Sequence, residues 1–257
     1  MLGDLWNFLL YKPLLNALAF LVSVIPGGDI GIAVILLTIL VKLILFPLSQ
    51  HQLRNQAAMN MLSPEINKIK KSGASREEQA RLTLELYKKH KTNPLSGCLV
   101  FIPVIFVLIA LYSVFFRGLE FNSELLYSFI HIPKNMNMMF LGLLDISKAS
   151  LALAALAALS QYFQSYFMPQ PAKTSEDGAS FQDVFAKSAS MQMKYFLPVM
   201  IFFFLYTGIP GVLAPLPGTM ALYWITNNIF TILQQVYVKK TERGVLSHEA
   251  EALALKK

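Results

Sequence analysis

Two apolar runs, Ile30 to Leu48 and Leu95 to Phe116, dominate the hydropathy pattern. Each is long enough to cross a hydrocarbon core, which needs about 20 helical residues. Three further candidates follow at Ala149 to Met168, Tyr195 to Ile209 and Leu216 to Val238. The pattern predicts an all-α, polytopic membrane protein with five transmembrane helices: span one at 30–50, span two at 95–117, span three at 149–168, span four at 195–209 and span five at 216–238. Residues 1–29 form an outer interfacial amphipathic helix, because Leu5 to Ile25 is apolar but carries Asn7, Lys12, Pro13 and Asn16. A sixth span over the same residues is the alternative. The connections are a cytoplasmic helical hairpin (51–94), an external loop (118–148), a cytoplasmic loop (169–194), a short external turn rich in proline and glycine (210–215) and a basic cytoplasmic tail (239–257).

Composition agrees with lipid as the main solvent. Of the 257 residues, 55% are hydrophobic and 14% charged, against roughly 25% charged in soluble domains. The net charge of +7 is unevenly placed. Between Gln50 and Pro94 lie Arg54, Lys68, Lys70, Lys71, Arg76, Arg81, Lys88, Lys89 and Lys91, and the tail adds Lys239, Lys240, Arg243, Lys256 and Lys257. The other side offers Lys12, Arg117, Lys134 and Lys148. Basic residues mark loops that stay in the cytoplasm, so the N-terminus is expected outside and the C-terminus inside. The single cysteine, Cys98, excludes an intrachain disulfide and a multi-thiolate zinc site.

Local signals organise the basic segment. Ser63-Pro64 reads as a helix start, Ser72-Gly73 as a break and Ser75-Arg76-Glu77-Glu78 as a capping box. Helices are expected at about 64–71 and 76–91, moving as a unit because few apolar residues join them. The charge run suits a solvated face, anionic lipid headgroups or RNA.

The informative residues are the polar ones inside the spans. Lys42 lies in an apolar stretch of span one, where a lysine costs about 2.5–3.5 kcal/mol on insertion scales. At 100° per residue it shares an arc with Gly31, Thr38 and Ser49, provided that Pro47 does not rotate the helix end. Span five carries Tyr223, Asn227, Thr231 and Gln234 on one stripe, with Trp224, Asn228 and Gln235 beside it. Span three ends with Gln161, Gln164 and Ser165 below a small-residue face of Ala154, Ala157 and Ala158. Polar stripes on three helices at similar depth point to a water-filled groove open to the cytoplasm and closed toward the outside. The competing reading is that the amides join helices to one another and that Lys42 snorkels to the interface.

In order and spacing these segments resemble the YidC/Oxa/Alb family of membrane insertases over nearly the whole chain. Tyr11-Lys12-Pro13-Leu14 looks like that family's entry into its outer helix, and Gly31 to Ser49 is similar to its first core span, with Lys42 at the position of a basic residue. Leu62-Ser63-Pro64-Glu65 and Leu86 to Cys98 look like its hairpin and the return into span two; Leu222-Tyr223-Trp224 with Asn227, Asn228, Gln234 and Gln235 is similar to its last span. Span two departs from the pattern, reading Leu99-Val100-Phe101-Ile102 before Pro103, and the large outer domain of many members is not seen.

The resemblance implies an insertase and chaperone of the cell membrane rather than an enzyme. Its partners would be nascent membrane proteins and membrane lipids, with a Sec translocon and the ribosome or signal recognition machinery beside them, and no specific nucleic-acid sequence. No nucleotide, metal or other cofactor is called for. The expected groove residues are Lys42, Thr38, Ser49, Gln161, Gln164, Tyr223, Asn227, Asn228, Thr231, Gln234 and Gln235. A channel or transporter with a polar cavity is the alternative. An intramembrane enzyme fits less well, since His51, His90, His131 and His248 fall in loops or at span ends and Cys98 has no partner in the sequence pattern.

Overall fold

The computed structural model describes residues 2–90, 106–107, 109–115, 123–130, 135–167, 191–209, 211 and 214–254. Most of the expected second span, with Gly97, Cys98 and Pro103, and nearly all of the 169–194 connection lie outside these residues. What is described is almost entirely helical. In chain order the elements are α1 (Leu2–Trp6), a π turn (Asn7–Tyr11), α2 (Lys12–Val24), α3 (Ile30–Ile44), α4 (Phe46–Lys71), α5 (Arg76–Lys89), a hairpin of β1 (Met139–Phe140) and β2 (Leu144–Asp145), α6 (Leu151–Phe167), a second π turn (Gln192–Phe196), α7 (Leu197–Tyr206) and α8 (Gly218–Ala254).

Prolines set most of the irregularities. Each π turn ends two residues before a proline, Pro13 in one case and Pro198 in the other. A proline ring crowds the carbonyl four residues back, and a wider turn relieves the clash. At Pro47 the chain bends instead: α3 and the start of α4 meet at 62° around Leu45. Span one is therefore not a straight helix over 30–50. The break expected at Ser63-Pro64 is absent, because α4 runs through Pro64 to Lys71, with Leu62 buried just before the proline. An interior proline costs a helix about 3 kcal/mol, which this one absorbs without ending. The remaining hairpin signals behave as read. Gly73 takes φ +72° after the Ser72 cap, and the Ser75 hydroxyl accepts from the Glu78 amide at 3.3 Å.

Helix directions follow from the backbone pairs at one end of the bundle. The Ile30 amide donates to Asn137 O (3.1 Å), Ile146 to Met138 O (2.9 Å), Gly218 to Lys148 O (2.9 Å) and Leu216 to Leu205 O (3.1 Å). Thus α3, α6 and α8 start together and α7 ends beside them. A continuous core joins these helices through Ala33, Val34 and Leu37 of α3, Ala154 and Ala157 of α6, Ile201 and Leu205 of α7, and Met220 to Tyr223 of α8. The faces left exposed are apolar, including Leu36 and Leu40 on α3, Leu156 and Phe163 on α6, Val199 and Phe203 on α7, and Ile229 and Leu233 on α8.

The N-terminal helix, expected as an interfacial amphipathic segment, packs one face on the bundle. Leu15, Leu18, Ala19 and Val22 pack inward, and Asn16, read as a polar marker of the interface, is buried. Its amide donates to Lys12 O (2.8 Å) and Leu125 O (3.0 Å), and its oxygen accepts from the Tyr127 amide (2.7 Å). Among the described residues, Asp4–Val24 is the one unbroken helix long and apolar enough to cross a membrane, and the bent pair Ile30–Ile44 with Phe46–Asn55 becomes a second if it counts as one span.

The turn before α3 is tightly constrained. Gly28 has φ +64°, and a Cβ added there would lie 1.9 Å from Asn135 O, whereas Gly27, with φ +75°, has open space around its Cβ position. Gly27→Ala should therefore cost about 1 kcal/mol for the left-handed backbone alone, and Gly28→Ala about 3 kcal/mol because backbone must also move. Unfolding in detergent measures both; equal losses would show that Asn135 is not held against the turn.

Candidate functional site

Lys42 sits in the last turn of α3, half-buried, and its Nζ donates to Thr231 Oγ1 of α8 at 3.0 Å. That hydroxyl in turn donates to Asn227 O at 2.7 Å. No acidic side chain among the described residues lies within ion-pair distance of Lys42. A hydrogen bond to a charged group returns about 1.5–3 kcal/mol, no more than the insertion cost of the lysine. Stability alone does not account for the ammonium.

The same seam continues past the 62° bend. Ser49, now on α4, keeps its hydroxyl toward α8 and accepts from Gln234 Nε2 at 2.7 Å, and the same amide reaches Phe46 O at 3.3 Å. Pro47 bends the chain without removing Ser49 from the arc. Thr38 does not join. It is buried, with its hydroxyl folded back on Val34 O at 2.7 Å, as is common for threonine in an apolar helix.

A second polar seam lies on another side of α8, against α6. Gln161 accepts from Trp224 Nε1 at 2.9 Å and donates to Gln164 Oε1 at 2.7 Å; Asn228 donates to Ser160 Oγ at 3.0 Å. Ser165 donates to Met193 O at 3.0 Å and so carries the seam toward α7. Such bonds average about 0.6 kcal/mol between membrane helices, so their main effect is to fix the register of α6 on α8. Gln161 and Asn228 thus bond across the two helices, as in the competing reading of the amides, whereas Gln164 bonds to Gln161 of its own helix. Ser160 was not singled out in the sequence; its place one residue before Gln161 on the small-residue side of α6 was the available signal.

At the end where α3 and α8 start, aromatic side chains cover the polar stripe. Tyr223 is buried with its ring 5.8 Å from that of Phe115, and a Cβ on Gly31 would lie 2.3 Å from the Phe140 ring. Phe140 therefore fills the notch left by Gly31 between α3 and α8. Asp29 holds the hairpin in place: its carboxylate accepts from the Ile32 amide (3.1 Å) as the α3 N-cap and from the Leu141 amide (2.7 Å). Gln235 is buried, and neither of its amide atoms has a hydrogen-bond partner among the described residues. Asn227 and Thr231 are half-buried beside Lys42. No group of three or more metal-ligating side chains comes together among the described residues.

These placements sharpen the test of a water-accessible groove. After Cys98→Ser, single cysteines at Asn227 and Thr231 should react with a membrane-impermeant thiol reagent. Thr38 and Gln234, being buried, and Ile229 and Leu233, on the exposed apolar face, should react at least about tenfold more slowly. Equal silence at all six would leave both seams as helix contacts only.

The family profile described as 60Kd inner membrane protein matches residues 20–244 of this chain. Among curated relatives, the membrane protein insertase YidC of Magnetococcus marinus is 34% identical over 238 residues, covering 91% of this chain and 36% of the relative. The proteins of the same name from Rickettsia bellii and Rickettsia massiliae are each 29% identical, over 250 and 248 residues, covering 93% and 91% of this chain and 40% and 39% of theirs. The chain thus spans about two fifths of the length of these relatives.

Proposed function

Since the chain belongs to the 60Kd inner membrane protein family, whose matched relatives carry the name membrane protein insertase YidC, we propose that it inserts proteins into the membrane through the Lys42 seam. In this reading five spans cross the bilayer, with the N-terminus outside and the hairpin of α4 and α5, the 169–194 connection and the C-terminus in the cytoplasm. The α1–α2 helix lies on the outer interface, its Leu15 to Val22 face packed on the bundle.

The single observation that carries the mechanism is a half-buried ammonium on an apolar helix, hydrogen-bonded to a hydroxyl and not to a carboxylate. A short hydrophilic terminus of a substrate enters from the cytoplasm beside Lys42, Asn227 and Thr231. Acidic residues in that terminus are attracted to Lys42 more strongly than in bulk water, because the effective dielectric is lower there. Polar groups already in place shorten the apolar distance left to cross. The Phe140 and Tyr223 layers close the outer end in the resting state. The substrate's apolar segment then passes sideways into lipid along faces such as that of Ile229 and Leu233, driven by removal of its surface from water. The chain's own partners in this work are nascent membrane proteins and lipid, with a Sec translocon or ribosome beside them.

Charge and mere polarity at position 42 make different predictions. Lys42→Arg should preserve insertion and Lys42→Glu should harm it most, by about tenfold or more for a substrate with acidic residues before its first span. Lys42→Gln should fall between them and should spare substrates with neutral termini. Insertion assays at matched protein levels on two substrates differing only in those acidic residues read the outcome. If the Gln variant and the parent insert both substrates equally, Lys42 has no part in recognition.

A further inference from the structure

Lys194 lies in the π turn Gln192–Phe196, which joins the end of the 169–194 connection to α7. The turn is widened ahead of Pro198, whose ring cannot accommodate the Lys194 carbonyl in an ordinary α-helical position. Its neighbour Met193 is fixed by the Ser165 hydroxyl, which donates to Met193 O at 3.0 Å. These constraints present the Lys194 side chain to two phenol rings. Its Nζ stands 5.2 Å from the Tyr166 ring centroid and 5.4 Å from that of Tyr195, both inside the roughly 6 Å range of a cation–π contact. Tyr162 supports the cluster, its ring 6.2 Å from that of Tyr195.

Both flanking tyrosines stay largely exposed, at 60% for Tyr166 and 57% for Tyr195. No carboxylate among the described residues lies within ion-pair distance of Lys194. Two tyrosine rings therefore orient the ammonium, and among the described residues no carboxylate neutralises it. Around the cluster the exposed side chains are apolar: Met191, Met193, Phe196 and Phe163. A cation oriented by two exposed tyrosines, without a carboxylate partner among the described residues and with an otherwise apolar rim, matches an amphiphile that has an anionic head and an acyl body. A soluble anion would make no use of the apolar surround.

We propose that Lys194, Tyr166 and Tyr195 form a binding site for the phosphate of one anionic phospholipid. The inference rests on the topology proposed above, which puts residues 191–196 at the cytoplasmic boundary of spans three and four. At that boundary a basic side chain adds attraction for anionic headgroups. Bound there, the lipid holds the ends of α6 and α7 together beside the seam that continues from Ser165 to Met193.

Native mass spectrometry on delipidated protein, given phosphatidylglycerol or phosphatidylcholine of matched chains, tests the site. The first bound lipid should favour phosphatidylglycerol about fivefold, the factor one interfacial cation supplies. Lys194→Arg should keep this preference, Lys194→Gln should abolish it, and Lys148→Gln, at the opposite end of the bundle, should leave it intact. Unchanged melting of the Gln variant in detergent separates loss of the site from loss of the fold; a preference kept by a folded Gln variant overturns the proposal. Displacement of the lipid by inorganic phosphate at equal concentration would assign the site to a free anion and overturn it as well. The readout needs neither insertion activity nor membrane orientation. A Met191→Cys thiol in the Cys98→Ser background, labelled from the cytoplasmic side of cells, tests the topology separately.

Discussion

Polar side chains in hydrocarbon must find partners, since an unsatisfied amide there costs several kcal/mol, and α8 carries more of them than any neighbouring helix. Its two neighbours divide the task. On one side Gln234 and Thr231 meet Ser49 and Lys42, and on the other Trp224 and Asn228 meet Gln161 and Ser160. Because lipid offers no hydrophobic drive for helices to associate, these contacts and the close approach of Ala154 and Ala157 set how α3, α6 and α8 sit together. The rest of the bundle is arranged around that hub. Its exposed surface remains apolar because the polar groups have been spent inside.

The two seams differ in consequence. Between α6 and α8 each donor and acceptor named is matched by another neutral group, so the result is a fixed register. Between α3 and α8 one partner is an ammonium, and neutral partners do not cancel its charge. At the end of the bundle where α3 and α8 start, Phe140 fills the Gly31 notch, Tyr223 packs on Phe115 and Asp29 holds the Leu141 amide.

Much of this was legible in sequence wherever the cause is local. The Ser75 cap and the Gly73 break depend on residues within a few positions of one another, and each appears where it was read. Pro47 signalled a disturbance but not its size, because the bend depends on how α4 packs beyond it. Pro64 shows the converse, a local signal that a longer helix absorbed. Asp29 directly before an apolar run is a readable N-cap that was passed over, and its second partner, Leu141, is 112 positions away. Likewise Asn16 looked like an interface marker, since its partners at Leu125 and Tyr127 lie 109 and 111 positions off. The β1–β2 hairpin has two residues per strand, too few for alternation to show. The division of the polar residues into two seams required the angular placement of α6 and α3 around α8, which no single helix encodes.

Lys42 thus bonds to Thr231 in the α3–α8 seam, with no acidic partner among the described residues and beside two half-buried positions on α8. We propose that a substrate's hydrophilic terminus occupies that place. Site-specific photocross-linking from α8 to a stalled nascent membrane protein tests it most directly. A photoreactive residue at Asn227 should capture the substrate's hydrophilic terminus, and one at Ile229 or Leu233 should capture its apolar segment or lipid. Capture of the terminus from Ile229 and Leu233 as efficiently as from Asn227 would contradict the account.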